Sequence, residues 1–210
     1  MKVIKPYYVI EDELDAKKIM LTIEKAGRTC YKSEGKIGDG TAERFIAAII
    51  KRGHESVLEH EKITVRFICD RGVTHEMVRH RIASFSQEST RYCNYSQDKF
   101  GNELTFIKPC FWDENDESYK LWLESMQFIE EKYNAMIAAG AKPEEARSIL
   151  PNSLKTEIVV TMNLREWRHY FKLRTAKAAH PQIREVSIPL LMELKEKLPV
   201  FFEDIQVEEK

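Results

Sequence analysis

The residues best equipped for chemistry lie in one stretch of fourteen, Arg79-His-Arg-Ile-Ala-Ser-Phe-Ser-Gln-Glu-Ser-Thr-Arg-Tyr92. It holds three arginines, one histidine, three serines and one threonine. Arg79 and Arg81 flank His80 at the point where a helix should end. If 86–92 is extended, Gln87, Ser89 and Arg91 project from one side and offer an amide, a hydroxyl and a guanidinium to a single anion. A guanidinium grips phosphate as a fork, with bonds about twice as strong as neutral ones. A solvated basic strand is the plain alternative. Against it stand Met77, Val78, Ile82, Ala83 and Phe85, which imply that the segment lies on a core, where guanidinium groups need partners. A phosphate-bearing ligand provides them.

A second cluster follows downstream. Arg147 precedes Pro151, and Asn163, Arg165, His169 and Arg174 come after a run rich in β-branched residues. On a helix, Asn163 and Arg174 fall within about 20° of each other, and Arg165 and His169 share a different face. An ordinary amphipathic surface accounts for these positions equally well. His54 and Ser56, in Gly53-His-Glu-Ser-Val-Leu-Glu-His60, fit either a helix terminus or a ligand contact.

Several familiar chemistries are excluded. Gly35-Lys-Ile-Gly38-Asp-Gly40 matches neither the dinucleotide fingerprint nor the P-loop and reads as a surface turn. His75 and His80 are five apart, which on a helix sets them roughly 140° from each other, so no metal is expected there. No G-x-S-x-G elbow is present. Cys110 lacks a local base or helix terminus to lower its pKa, and is expected to be a small buried or half-buried residue.

The elements that must position these groups follow from periodicity. Helical patterns run near 11–27 and 41–53, the second with Thr41 as N-cap. Residues 61–69 alternate, with Ile63, Val65 and Phe67 on one side, and read as a strand. Asp70-Arg71-Gly72 reads as a turn, 73–80 as a short helix, and 86–108 as extended and irregular. A long amphipathic helix spans 117–140, with Leu121, Leu123, Phe128, Ile129 and Met136 on its apolar face and Gly140 ending it. The acidic run 113–117 before it reads as a solvated first turn. Pro143 opens a further helix, 156–162 is a buried strand, and helices follow at 163–173 and 182–198, the latter disturbed at Pro189. Without clean βαβ alternation the class is α+β. We expect one domain, 1–210.

Composition sets the outer limits. The 210 residues are 43% hydrophobic and 32% charged, enough to build a core, and a chain of this size buries roughly 70% of its unfolded surface. A net charge of -1 argues against a nucleic-acid binder. No apolar run reaches the roughly 18–20 residues of a membrane span. The four cysteines form no CxxC pair, and no secretory block opens the chain, so reduced thiols and a cytoplasmic location are expected.

Arg79-His-Arg81, then seven residues, then Ser89, extended by Arg91-Tyr92, resembles the signature of the flavin-dependent thymidylate synthases. The resemblance includes Gly53-His-Glu-Ser56 with Glu59-His60, Arg147 with Leu150-Pro151, Asn163, and Leu173-Arg174. It implies a compact domain with a mixed sheet flanked by helices, assembled as a homotetramer whose active sites draw on several subunits. The implied reaction is reductive methylation of dUMP to dTMP, with bound FAD, methylenetetrahydrofolate as carbon donor, NADPH as electron source and no enzyme nucleophile. Carried onto this chain, Ser56, Arg79, His80, Arg81, Asn163, Arg165 and His169 contact FAD, with His54 beside it. Gln87, Ser89, Arg91 and Arg147 hold the nucleotide, with Glu76, Glu88 and Thr90 lining that site; Gln87 and Arg79 border both ligands. Arg174 faces the uracil ring and is the catalytic residue. Many relatives carry Glu at Gln87 and some carry Asn at His169. The rival readings are another nucleotide-handling enzyme, which would want a carboxylate cluster for Mg²⁺, and a nucleic-acid module.

Overall fold

The computed structural model describes residues 1–95 and 103–207. Strands β1 (Lys2–Ile4) and β2 (Tyr7–Ile10) lead to helices α1 (Ala16–Cys30) and α2 (Thr41–Lys51). A 3-10 turn (Glu55–His60), strand β3 (Lys62–Asp70), helix α3 (Arg71–Met77) and strands β4 (Ala83–Gln87) and β5 (Thr105–Ile107) follow. Helices α4 (Glu117–Ala138) and α5 (Pro143–Ala146), strand β6 (Lys155–Asn163) and helices α6 (Leu164–Arg174), α7 (Pro181–Lys197) and α8 (Pro199–Phe202) complete it. The class is α+β, with helices flanking a sheet. One sheet has the order β2-β3-β6-β4, and β1 pairs in parallel with β5 through Val3 and Phe106.

The chain gathers into two compact units. The first takes Met1–Tyr7, Phe67–Arg79 and Ser86–Ile158; the second takes Tyr8–Arg66, His80–Phe85 and Val159–Lys210. The first unit's core is Leu104, Phe106, Met126, Tyr133 and Leu154 with their neighbours. In the second, Trp167 stacks on Phe171 at 5.6 Å, and Ile23, Ile46, Leu58 and Leu194 are buried.

Most elements lie where periodicity puts them, and the departures have local causes. Helix α1 begins at Ala16 because the preceding residues serve the strand. Glu11 N–H donates to the Thr64 carbonyl at 2.9 Å, and the Asp12 carboxylate accepts from Thr64 N–H at 2.6 Å. Thr41 is the first helical residue of α2, not its cap. Gly40, at φ +68°, takes that position, and the Thr41 hydroxyl accepts from Gly38 N–H at 3.0 Å. Asp70 to Gly72 is no turn: Asp70 closes β3 and caps α3, its Oδ1 accepting from Val73 N–H at 2.9 Å. Helix α3 stops at Met77, so a helical angle between His75 and His80 does not apply.

The expected apolar face of α4 is also corrected. Leu121 and Phe128 are exposed, whereas Tyr119, Met126 and Tyr133, seven residues apart, are buried. Gly140, at φ +98°, does end that helix. Ala141 N–H reaches the Met136 carbonyl and Gly140 N–H the Ile137 carbonyl, the paired bonds of a left-handed terminus. Strand β6 buries one face only, through Thr156, Ile158, Val160 and Met162. Helix α7 continues through Pro189, since burial of Val186, Leu190, Leu191 and Leu194 outweighs the missing amide bond. Cys110 is exposed, not buried. Within the expected irregular span 86–108, residues 96–102 lie outside the described residues.

Candidate functional site

Helix α6 is set down firmly. Asn163 ends β6 and caps the helix, its Oδ1 accepting from Glu166 N–H at 2.8 Å. Leu164 N–H donates to the Glu61 carbonyl, and Trp167 Nε1–H to the Ile63 carbonyl at 2.9 Å. The exposed side of the first turns then lines a cleft of about 380 Å³, with Asn163, Arg165 and His169 joined by Lys172, Ile82 and three carboxylates, Glu55, Glu59 and Glu166.

A neighbouring cleft of about 350 Å³ is built from the end of α2. Gly53, at φ +71°, makes the left-handed turn that only glycine adopts readily, and His54 N–H returns to the Ile49 carbonyl at 2.9 Å. His54 and Ser56 follow, exposed, and line this cleft with Tyr31, Phe45 and Val57. Arg165 and Glu55 border both clefts. Arg165 Nη1 donates to Glu59 at 2.6 Å, an exposed pair worth little energetically.

His80 lies behind the wall and is only 4% exposed. Its Nδ1–H donates to Glu166 Oε1 at 2.9 Å, and its Nε2 accepts from Arg174 Nε–H at 3.1 Å. The ring sits 5.0 Å from Tyr170 and 5.6 Å from exposed His169. Burial pushes the imidazole pKa below its ordinary value; the Arg174 charge adds to this and the Glu166 bond opposes it. His80 is therefore neutral near pH 7. Unfolded His80 takes a proton below about pH 6.5 that the folded ring refuses, so stability falls as pH drops through that window and levels off above it. Urea midpoints at about pH 5.5 and 7.5 check this: H80Q should show a smaller difference than the parent chain, and an equal one would count against it.

His80, Glu166 and His169 also bring their ligating atoms within 4.8 Å of one another. Both His80 nitrogens are engaged, and the Arg174 guanidinium beside them repels a cation.

The remaining expected residues belong to the first unit, apart from Arg81, which is exposed beside His80 in the second. Arg79 is exposed and Glu76 is half-buried on α3. The expected row of Gln87, Ser89 and Arg91 does not form. Strand β4 ends at Gln87 and the chain turns, Tyr92 and Cys93 N–H donating to the Ser89 carbonyl. The Gln87 amide points to the Thr74 and Thr156 hydroxyls at 3.0 and 3.3 Å, and Ser89 Oγ accepts from Arg91 N–H at 3.3 Å. Arg147 Nη1 reaches buried Thr90 at 3.5 Å, while Arg91 is exposed, 3.9 Å from Glu144. Glu88 accepts from Tyr95 at 2.7 Å and pairs with Lys155 at 3.0 Å. Burial lowers the Lys155 pKa, but bonds to Glu157 and Glu88 hold it above its ordinary value.

Sequence reading missed Glu166, Glu55 and Arg168. Asn163 followed three residues later by Glu166 is a helix-start signature that was there to be used. Arg168 carried no such mark. It is 1% exposed, forks onto Asp204 at 2.7 and 2.8 Å, and bonds Glu55 and the Phe201 carbonyl.

Comparison with known proteins matches residues 14–200 to the family described as thymidylate synthase complementing protein. The chain belongs to the flavin-dependent thymidylate synthase family. A flavin-dependent thymidylate synthase of Pyrococcus furiosus is 38% identical over 81% of this chain and 70% of its own length. One from Corynebacterium efficiens is 34% identical over 93% of this chain and 83% of its own. Among solved structures, a UMP/dUMP methylase from Streptomyces cacaoi, bound with 5-Br dUMP, shares the fold at a TM-score of 0.78 and 22% identity, covering 97% of this chain and 96% of that one.

For a member of this flavin-dependent family, the donor set is apt. Arg165, Lys172 and His169 suit phosphate oxygens. Asn163, with Oδ1 committed to the cap, has its amide N–H₂ to offer. Tyr31, Phe45 and Val57 give the adjoining cleft an apolar wall for a flat ring.

Proposed function

We propose that this chain converts dUMP to dTMP by reductive methylation, with methylenetetrahydrofolate as carbon donor and bound FAD reduced by NADPH. The observation that carries the reading is the meeting of His54 and Ser56 with Asn163, Arg165 and His169 at two clefts that share Arg165. Residues more than a hundred positions apart gather at these clefts, which supports a shared ligand there. Reduced flavin supplies the hydride chemistry when bound.

The chain's own residues bind and orient. Arg79, His80, Arg81 and Gln87 complete the flavin surroundings. Gln87, Ser89, Arg91 and Arg147 hold the nucleotide phosphate and sugar, with Glu76, Glu88 and Thr90 lining that site. Arg174 faces the uracil ring, where its charge stabilises negative charge developing on the carbonyl–N3 system and so makes C5 nucleophilic. No enzyme nucleophile is needed. Burial pushes the Cys69 thiol pKa far up, with Asp70 adding to the shift, so that sulfur stays protonated. We take residues 1–210 as one synthase domain, assembled as a homotetramer with sites drawn from several subunits. Among the described residues no helix is long and apolar enough to cross a membrane, and we place the chain in the cytoplasm, with small-molecule ligands and no nucleic acid as partners.

The purified protein is expected to be yellow and to lose its visible absorption when NADPH is added anaerobically. A colourless protein that also fails to take up FAD overturns the proposal. Arg91→Ala should weaken dUMP binding roughly 10–100-fold, the loss of a charge-assisted contact, as titration calorimetry would measure. An unchanged Kd removes Arg91 from the phosphate.

A further inference from the structure

We infer that Glu166 is a positioning residue for Arg174, acting through His80. The inference rests on the role proposed above for Arg174 and adds to it a side chain to which no role has been given.

Glu166 and Arg174 stand two turns apart on α6, and the His80 ring lies between them as a bridge. The Glu166 carboxylate has only acceptor oxygens, so at 2.9 Å it obliges His80 Nδ1 to carry the ring's proton. With the ring neutral, Nε2 is then a bare acceptor, and the N–H that it takes at 3.1 Å is Arg174 Nε–H. One carboxylate thus sets the tautomer, and the tautomer sets where the guanidinium plane is held. With only 8% of Glu166 and 4% of His80 exposed, water has little access to replace either partner. The anchoring extends one step further back, because the backbone N–H of Glu166 is itself held by the Asn163 side chain at 2.8 Å.

The Glu166→Gln variant isolates this action at nearly constant volume. Its amide turns either N–H₂ or oxygen toward Nδ1, and with N–H₂ there the ring proton moves to Nε2. That nitrogen then faces Arg174 Nε–H as donor against donor, and this contact to the guanidinium is lost. Carboxylates that orient a metal-bound histidine typically control activity by about 10–100-fold, and the same scale is expected of one that orients His80. The expected result is a kcat for dUMP methylation lowered by that factor, KM for dUMP changed less than about threefold, and unaltered flavin content per chain.

The decisive readout is the tautomer. In protein carrying ¹⁵N-labelled histidine, two-bond ¹H–¹⁵N correlations should show His80 protonated at Nδ1 in the parent chain and at Nε2 in Glu166→Gln. A merely structural Glu166 would not move that proton while flavin content holds. Two outcomes overturn the inference: a ring still protonated at Nδ1 in the variant with kcat lowered all the same, or a shifted tautomer with an unchanged kcat. Should Glu166→Gln fail to fold, Glu166→Asp must show the same linkage, keeping the Nδ1 proton and most of kcat together or losing both. If the parent chain holds no flavin and methylates nothing, the proposed synthase activity falls, while the His80 tautomer still decides whether Glu166 governs the ring that Arg174 bonds.

Discussion

Replacing Arg174 by alanine is expected to cut dTMP formation by about 10²–10³-fold while the protein stays yellow, because one preorganised donor aimed at developing charge is typically worth about 3–4 kcal/mol. The side chain is half-buried at the last residue of α6, and its Nε–H is committed to His80. Removing it leaves His80 Nε2 without that donor but vacates no large core volume, so stability should change little beside turnover. Arg174→Lys sharpens the test. An ammonium keeps the charge but has no Nε–H at the height of the His80 ring and no planar fork, so it should recover only part of the loss. Steady-state rates with flavin content measured on the same samples settle both. Near-normal turnover in Arg174→Ala would place the charge stabilisation elsewhere.

Much of the framework was legible because its signals are local. The alternation of Ile63, Val65 and Phe67 fixes one face of β3, and all three are fully buried. Gly140 marks the end of α4, and Pro143 the start of α5. The misplaced boundaries and faces were decided by partners far away in sequence. Nothing near Asp12 announces that its carboxylate will be claimed by Thr64. Leu121 and Phe128 look like core on a helical wheel, yet α4 turns Met126 and Tyr133 inward because Leu104, Phe106 and Leu154 receive them. The site divides the same way. Its residue types follow from the arginine-rich stretch and the resemblance it carries. The geometry of Gln87, turned onto Thr74 and Thr156, and of His80, bridging Glu166 and Arg174, depends on contacts across 13 to 94 positions.

Arg168 is where that blindness matters most for stability, and Arg168→Met should lower the unfolding free energy by about 3 kcal/mol. Removing one member of a buried ionic cluster generally costs about 3–5 kcal/mol, because the partners stay behind uncompensated. The lower end applies here, since the Asp204 side chain is 51% exposed and water can take it back, whereas that of Glu55 is only 19% exposed. Burial lowers the Arg168 pKa, but bonds to Asp204 and Glu55 hold it above its ordinary value, so it is charged at every accessible pH. The Arg168 bond holds the Asp204 carboxyl below its ordinary value despite partial burial. A carboxyl depressed on folding adds stability above its unfolded pKa and surrenders it as pH falls toward the folded one. The parent chain should therefore lose stability below about pH 4 more steeply than Arg168→Met. Urea midpoints across that range measure both effects, and a neutral-pH change under about 1 kcal/mol would show that the fork is not a main tie of this unit. The loss should reach the site as well. Arg168 holds Glu55, which borders both clefts and lies between His54 and Ser56. Flavin uptake by the variant should accordingly weaken even at temperatures where it remains folded.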